Sequence, residues 1–362
     1  MLHQVQAYLT GINLRLLYLV GIPALVAVVL GGGIQRSFRG RPAFYWIGFA
    51  AWALMAVPFS VYRGGSARLM FTYLRTDFLL LFVLAGLVVT WDDCRKTMCV
   101  IASAAVVNLL TGRIFAAEVG SGRSGLAFGS LNDPNDFACH LLLILPFLLW
   151  VFFDSKSLAV RIGVMLGISY GVFLMLRTGS RGALVGLAAS LLFFVVKAPS
   201  RQKIAILLAG PIAALGLLAV MPEHLKQRLT SFNSGEDKVA VESMEARSYL
   251  LRQSIRYTLD RPIFGVGPGE FPEYEGVNNK VNGTEHGSWH QTHNTYTQVS
   301  SECGIPALLF YLAAIISTFR LISSVHREAR RREDCRDIER AAFCIQLAMA
   351  GFCTAIGFLN FT

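Results

Sequence analysis

Residues 137–153 read FACHLLLILPFLLWVFF, a run without one Asp, Glu, Lys or Arg. A helix needs about twenty predominantly apolar residues to cross the hydrocarbon of a bilayer, so such a run names its own solvent once it recurs. It recurs near 14–31, 43–61, 74–90, 97–111, 160–176, 181–196, 203–221, 304–322 and 341–360. Helices are expected rather than a barrel, because backbone groups facing lipid must bond within their own segment and no alternating ten-residue pattern is present. The reading is an all-α polytopic membrane protein, a single domain over residues 1–362 with about ten transmembrane helices.

Composition agrees. Of 362 residues, 54% are hydrophobic and 15% charged, against roughly 25% charged in soluble domains, and the mean hydropathy is +0.51. A formal charge of +10 would suit nucleic acid if gathered on one face, but the basic residues are parcelled into short connectors, so no nucleic-acid partner is expected and membrane orientation is the better reading. The seven cysteines, at 94, 99, 139, 303, 335, 344 and 353, lack CxxC spacing and read as packing residues. At the N-terminus, 14–30 is long enough to remain as a span, and no cleaved signal is expected.

Lys and Arg in short loops orient the spans. With the loop after 196 inside, the inner side carries 17 of them, including Arg36, Arg39, Arg41 and the group Arg320, Arg327, Arg330, Arg331, Arg332, Arg336 and Arg340, against 8 outside. The remaining 8 lie in a long polar loop over residues 222–303, which therefore faces outward as the one large extracytoplasmic loop. Inside it, 243–259 reads as a short basic helix bearing Arg247, Arg252 and Arg256, ended by Asp260, Arg261 and Pro262. Residues 264–271, FGVGPGEF, read as a turn.

His293 and Asn294 are followed by nine residues and then Gly304, where an apolar span begins. With Ser180, Arg181 and Gly182 opening a span, NDPNDFA at 132–138 and RPIFGVGPGEF at 261–271, the set resembles the O-antigen ligase and polymerase superfamily over roughly residues 120–322. The resemblance implies a multi-spanning enzyme of the bacterial cytoplasmic (inner) membrane that moves a glycan from undecaprenyl pyrophosphate to an acceptor hydroxyl on a lipid, glycan or protein. Carried over by position, Arg181 and Arg247 would bind the donor pyrophosphate and His293 would activate the acceptor, with Asn294, Arg123 and Arg252 in support and neither cofactor nor metal required. A single displacement implies inversion. The ligase branch extends its motif with further glycines and a Thr, Arg and Pro cluster, whereas Gly304 here is followed by Ile305, Pro306 and Ala307, so a repeat-unit polymerase stands as the alternative. The readable spans are also fewer than the family's, and a further terminal span is an expectation.

The residue types suit that chemistry on their own terms. Charge grows on a departing pyrophosphate as its bond to the sugar breaks, so fixed guanidinium forks stabilise the transition state above the ground state. The bland reading of Arg181 is a snorkelling side chain at a span edge. An imidazole titrating near neutrality suits proton removal from a sugar hydroxyl; the bland reading of His293 is a helix cap. His286, His290 and His293 have the spacing of a zinc face if helical, although Gly283 and Gly287 oppose a helix. Glu270, Glu273 and Glu275 are expected to be solvated turn residues. A transporter would instead place ionisable groups mid-membrane.

Overall fold

The computed structural model describes residues 16–119, 123–127, 131–198, 203, 216, 238–282 and 289–359. They are overwhelmingly helical: α1 Leu16–Leu30, α2 Gly33–Ser37, α3 Arg41–Ala56, α4 Arg63–Tyr73, α5 Leu79–Leu87, α6 Trp91–Ile114, α7 Pro134–Asp154, α8 Leu158–Arg177, α9 Arg181–Lys197, α10 Lys238–Asp260, α11 Phe271–Asn282, α12 Thr295–Arg330 and α13 Arg336–Ala355. A π-helical turn, Leu74–Phe78, joins α4 to α5. Among the described residues seven helical stretches are long and apolar enough to cross a membrane. The apolar α1 and α9 are shorter, at 15 and 17 residues. Of the run at 203–221, only Lys203 and Gly216 fall within the described residues. Large apolar side chains such as Leu30, Phe44, Ile114 and Leu158 stand more than half exposed, which suits lipid as their surroundings and would be costly in water. The protein is an all-α polytopic membrane protein.

The sequence stops and starts these helices by ordinary means. Asp133 caps α7, its carboxylate accepting from the backbone N–H groups of Asn135 and Asp136 at 2.7 and 3.3 Å, and Pro134 takes the first turn, where no donor is wanted. Ser157 and Ser180 cap α8 and α9 in the same way.

Two compact units make up the chain. The first holds most of α6, then α7, α8, α9, α13 and α12 from Ile322 onward. Its buried centre is α7, with Phe137, Leu141 and Trp150 almost fully enclosed. The α9 and α13 backbones approach closely: a Cβ on Gly186 would lie 2.7 Å from the carbonyl oxygen of Gly351, and the Ser190 hydroxyl donates to the Leu347 carbonyl at 3.1 Å. Small residues and such bonds replace the hydrophobic drive that lipid cannot supply. An antiparallel pair of four-residue strands, β1 Ala116–Val119 and β2 Arg123–Leu126, interrupts the helical pattern; nothing in the sequence reading anticipated it.

The second unit holds α1 from Tyr18, α2 to α5, α10, α11, α12 up to Leu321, and residues 356–359. Here α3 and α12 pack along a track. Trp52 donates its indole N–H to the carbonyls of Ile263 and Cys303 at 3.1 and 3.2 Å, Phe49 and Trp46 meet the Tyr311 ring, and Gly48 accommodates Phe310. The helix expected to begin at 304 in fact starts at Thr295 and passes through a break at Gly304, whose φ is 84°.

Candidate functional site

The predicted site residues divide between the two units: Arg123 and Arg181 belong to the first, Arg247, Arg252, His293 and Asn294 to the second.

In the first unit, α8 ends at Arg177, Gly179 turns the chain with φ 61°, and Arg181 is the first residue of α9. A guanidinium and the N-terminus of a helix thus share one short segment, and both favour an anion. Arg123 works alongside. Its Nε donates to the Thr178 carbonyl at 2.8 Å and an Nη to the Asn135 side-chain oxygen, also at 2.8 Å. Those bonds tie the turn before α9 to the start of α7, so the SRG and NDPND segments of the sequence meet through one arginine.

In the second unit, the break at Gly304 organises everything around it. An uninterrupted α-helix would bond the N–H of residue 305 to carbonyl 301 and that of 306 to carbonyl 302. Pro306 has no N–H, and the Ile305 N–H goes instead to the Pro262 carbonyl at 2.8 Å. The released carbonyls of Ser301 and Glu302 are taken by the N–H groups of Val266 and Gly267, at 2.8 and 2.9 Å. The FGVGPGEF loop is therefore sewn onto α12 by the bonds the kink sets free. Gly265 and Gly267 have φ 65° and 117°, and a Cβ on Gly265 would strike the Glu302 backbone carbonyl, so both the conformation and the space demand glycine.

Glu302 completes the seam. Its carboxylate, 5% exposed, accepts from the backbone N–H of Gly269 at 2.9 Å, from that of Phe271 at 3.4 Å, and from the Gln298 amide at 3.2 Å. On its other side the loop meets α4, where the Ser66 hydroxyl donates to the Pro268 carbonyl at 2.9 Å. A cavity of about 110 Å³ lies against Glu302, Gln298, Pro268, Tyr73 and Tyr311, room for a few waters. The sequence reading missed Glu302. The available signal was an acid at the mouth of an apolar span, which is by default a functional hypothesis.

The expectation of solvated glutamates holds only for Glu273. Glu270 is 5% exposed and Glu275 fully buried. Burial pushes Glu270 above the usual carboxylate range, with Glu273 adding to the shift and Ser66 hydrogen bonds opposing it. Burial raises Glu275 as well.

His293 is half-buried and has φ 53°, a left-handed backbone rarely adopted by a residue other than glycine. The cap of α12 is its neighbour: the Asn294 side-chain oxygen accepts from the N–H groups of Tyr296 and Thr297 at 3.0 and 3.1 Å. Thr295 is held in turn by the Leu359 carbonyl, which accepts from both its N–H and its hydroxyl at 3.0 and 2.8 Å. His293 is thus fixed from the helix side in a strained conformation of the kind that clusters at functional sites. Residues 290–293 are not helical, so His290 and His293 do not share a helix face, and His286 lies outside the described residues. Among the described residues no cluster of three metal-ligand side chains forms. Arg247 is half-buried and Arg252 exposed on α10, whose far end meets α12 where the Thr258 and Ser300 hydroxyls bond at 2.8 Å.

These features define a multi-spanning helical membrane protein with a polar site built on a broken span. Residues 166–312 match the family model described as O-antigen ligase, so the resemblance read from the motifs holds over that stretch. The chain is also 28% identical over 196 residues to the teichuronic acid biosynthesis protein TuaE of Bacillus subtilis (strain 168), a match covering 50% of this chain and 38% of that protein.

Proposed function

We propose that the protein is an O-antigen-ligase-type glycosyltransferase, transferring a glycan from undecaprenyl pyrophosphate to an acceptor hydroxyl on the outer face of a bacterial cytoplasmic membrane. The observation that carries the reading is Arg181 as the opening residue of α9, within the segment that matches the family. Arg181 and Arg247 hold the pyrophosphate, with Arg252 adding positive charge. His293 takes the acceptor proton as the hydroxyl oxygen bonds to the anomeric carbon, and the pyrophosphate leaves with the electron pair of the broken C–O bond. Attack opposite the leaving group inverts the anomeric centre. Asn294 and Arg123 position rather than react, since each has side-chain atoms bonded into a helix start.

A second reading, repeat-unit polymerase, is favoured by the relative named for teichuronic acid biosynthesis. Purified protein supplied with an undecaprenyl pyrophosphate glycan and candidate acceptors tests both. Ligation yields one addition per acceptor, polymerisation a ladder on lipid-linked glycan, and absence of undecaprenyl pyrophosphate release with every acceptor contradicts both.

A further inference from the structure

At the end of the α3–α12 track away from Glu302 a groove is lined by residues of both helices. Close packing at Gly48 and Phe310 gives way to small residues, Gly40 before α3 and Ala313 and Ser317 one turn apart on α12, and the groove, of about 500 Å³, opens there. Tyr45, Pro42, Ile316 and Leu321 make its sides apolar, while Arg41 and Arg320 stand on its lining and no acid does. Neither arginine has a side-chain hydrogen bond or ion pair among the described residues. Arg36, by contrast, is spent on the Gly86 carbonyl. Ser317 lies roughly 20 Å along the helix from Gly304, so the groove is separate from the site around Glu302.

We propose that this groove binds an anionic phospholipid, its phosphate between Arg41 and Arg320 and an acyl chain along Tyr45, Ile316 and Leu321. The volume falls in the range of small-ligand pockets. The two ends of the groove match the two ends of a lipid: an exposed cationic pair for the headgroup, and apolar side chains in a membrane-spanning helix pair for the chain. Arginine suits the headgroup because its fork can grip two phosphate oxygens. Bound there, the lipid fills the groove and fastens α3 to α12.

The test is native mass spectrometry of protein released from nanodiscs containing equal phosphatidylglycerol and phosphatidylcholine. Wild-type protein is expected to retain phosphatidylglycerol over phosphatidylcholine by roughly thirtyfold, the order expected for two cations beside an anionic headgroup. Arg41→Ala with Arg320→Ala abolishes the preference, and Ser317→Leu, which narrows the groove beside Ile316 and Leu321 but keeps both charges, abolishes retention. Unfolding midpoints confirm that the variants remain folded, and Arg320→Ala alone serves if the double variant does not. Equal retention of the two lipids by wild type overturns the proposal. So does a preference that survives Ser317→Leu, which marks diffuse surface charge, and so does release by inorganic phosphate, which marks a simple anion site.

Discussion

The carboxylate of Glu302 accepts the backbone N–H of Gly269 at 2.9 Å, across 33 residues of chain. An acid at the mouth of a spanning helix therefore sets the shape of the loop that precedes the His293 segment. Glu302→Ala strands the buried N–H of Phe271 together with that of Gly269, and each unsatisfied donor costs roughly 1–3 kcal/mol. Glu302→Gln retains one acceptor oxygen and should cost about half as much. Chemical denaturation in detergent measures both, and equal stability of all three proteins would remove Glu302 from the seam.

Arg123 and Arg181 should separate by what they damage. Arg123→Ala loses charge-assisted bonds to Thr178 and Asn135 and should lower stability by roughly 2 kcal/mol. Arg181→Lys and Arg247→Lys keep charge and should leave stability alone, yet lower transfer roughly tenfold or more, because an ammonium lacks the planar two-bond grip. Donor binding and unfolding midpoints, compared across the three variants, check the distinction. Wild-type transfer in both Lys variants would reduce these arginines to orientation signals.

Glu270 gives stability a pH dependence of definite sign. Its folded-state pKa is raised above the ordinary value of 4.5, so the folded state holds the proton more tightly than the unfolded chain. The stabilisation is complete below pH 4.5 and is lost as pH rises through the folded value. Glu275, also raised by burial, adds to the same slope. Glu270→Gln should therefore gain on wild type as pH rises from below that point, and a difference in melting midpoint that does not change with pH would contradict the assignment.

Sidedness rests on the 17 short-loop basic residues assigned inside against 8 outside. Single cysteines replacing Lys238 and Arg331, in a background with the native cysteines removed, should react with an impermeant reagent from opposite sides, Lys238 from outside. Labelling of both from one side would overturn the arrangement.

What the sequence made legible follows from how local each feature is. The α7 span could be read because the apolar run at 137–153 is contiguous in the chain, whereas its start at the Asp133–Pro134 cap was not anticipated. The end of α10 at Asp260 was marked by the Pro262 that follows it. Glu302 was not legible, because its partners depend on carbonyl groups released at Gly304 and Pro306 and on a loop that returns from far earlier in the chain. The burial of Glu270 was misread for the same reason: the Ser66 contact that encloses its loop spans 202 residues. The four-residue strands β1 and β2 are too short for alternation to register. The site residues were named by motif, but their supports were set by long-range backbone bonding.

If His293 removes the acceptor proton, its loss shows in the turnover of a lipid-linked glycan donor by purified His293→Ala protein. A loss of roughly a hundredfold in turnover is expected, with donor affinity and expression near wild type, while His290→Ala and His286→Ala do far less. Wild-type turnover by His293→Ala with a natural acceptor would contradict it.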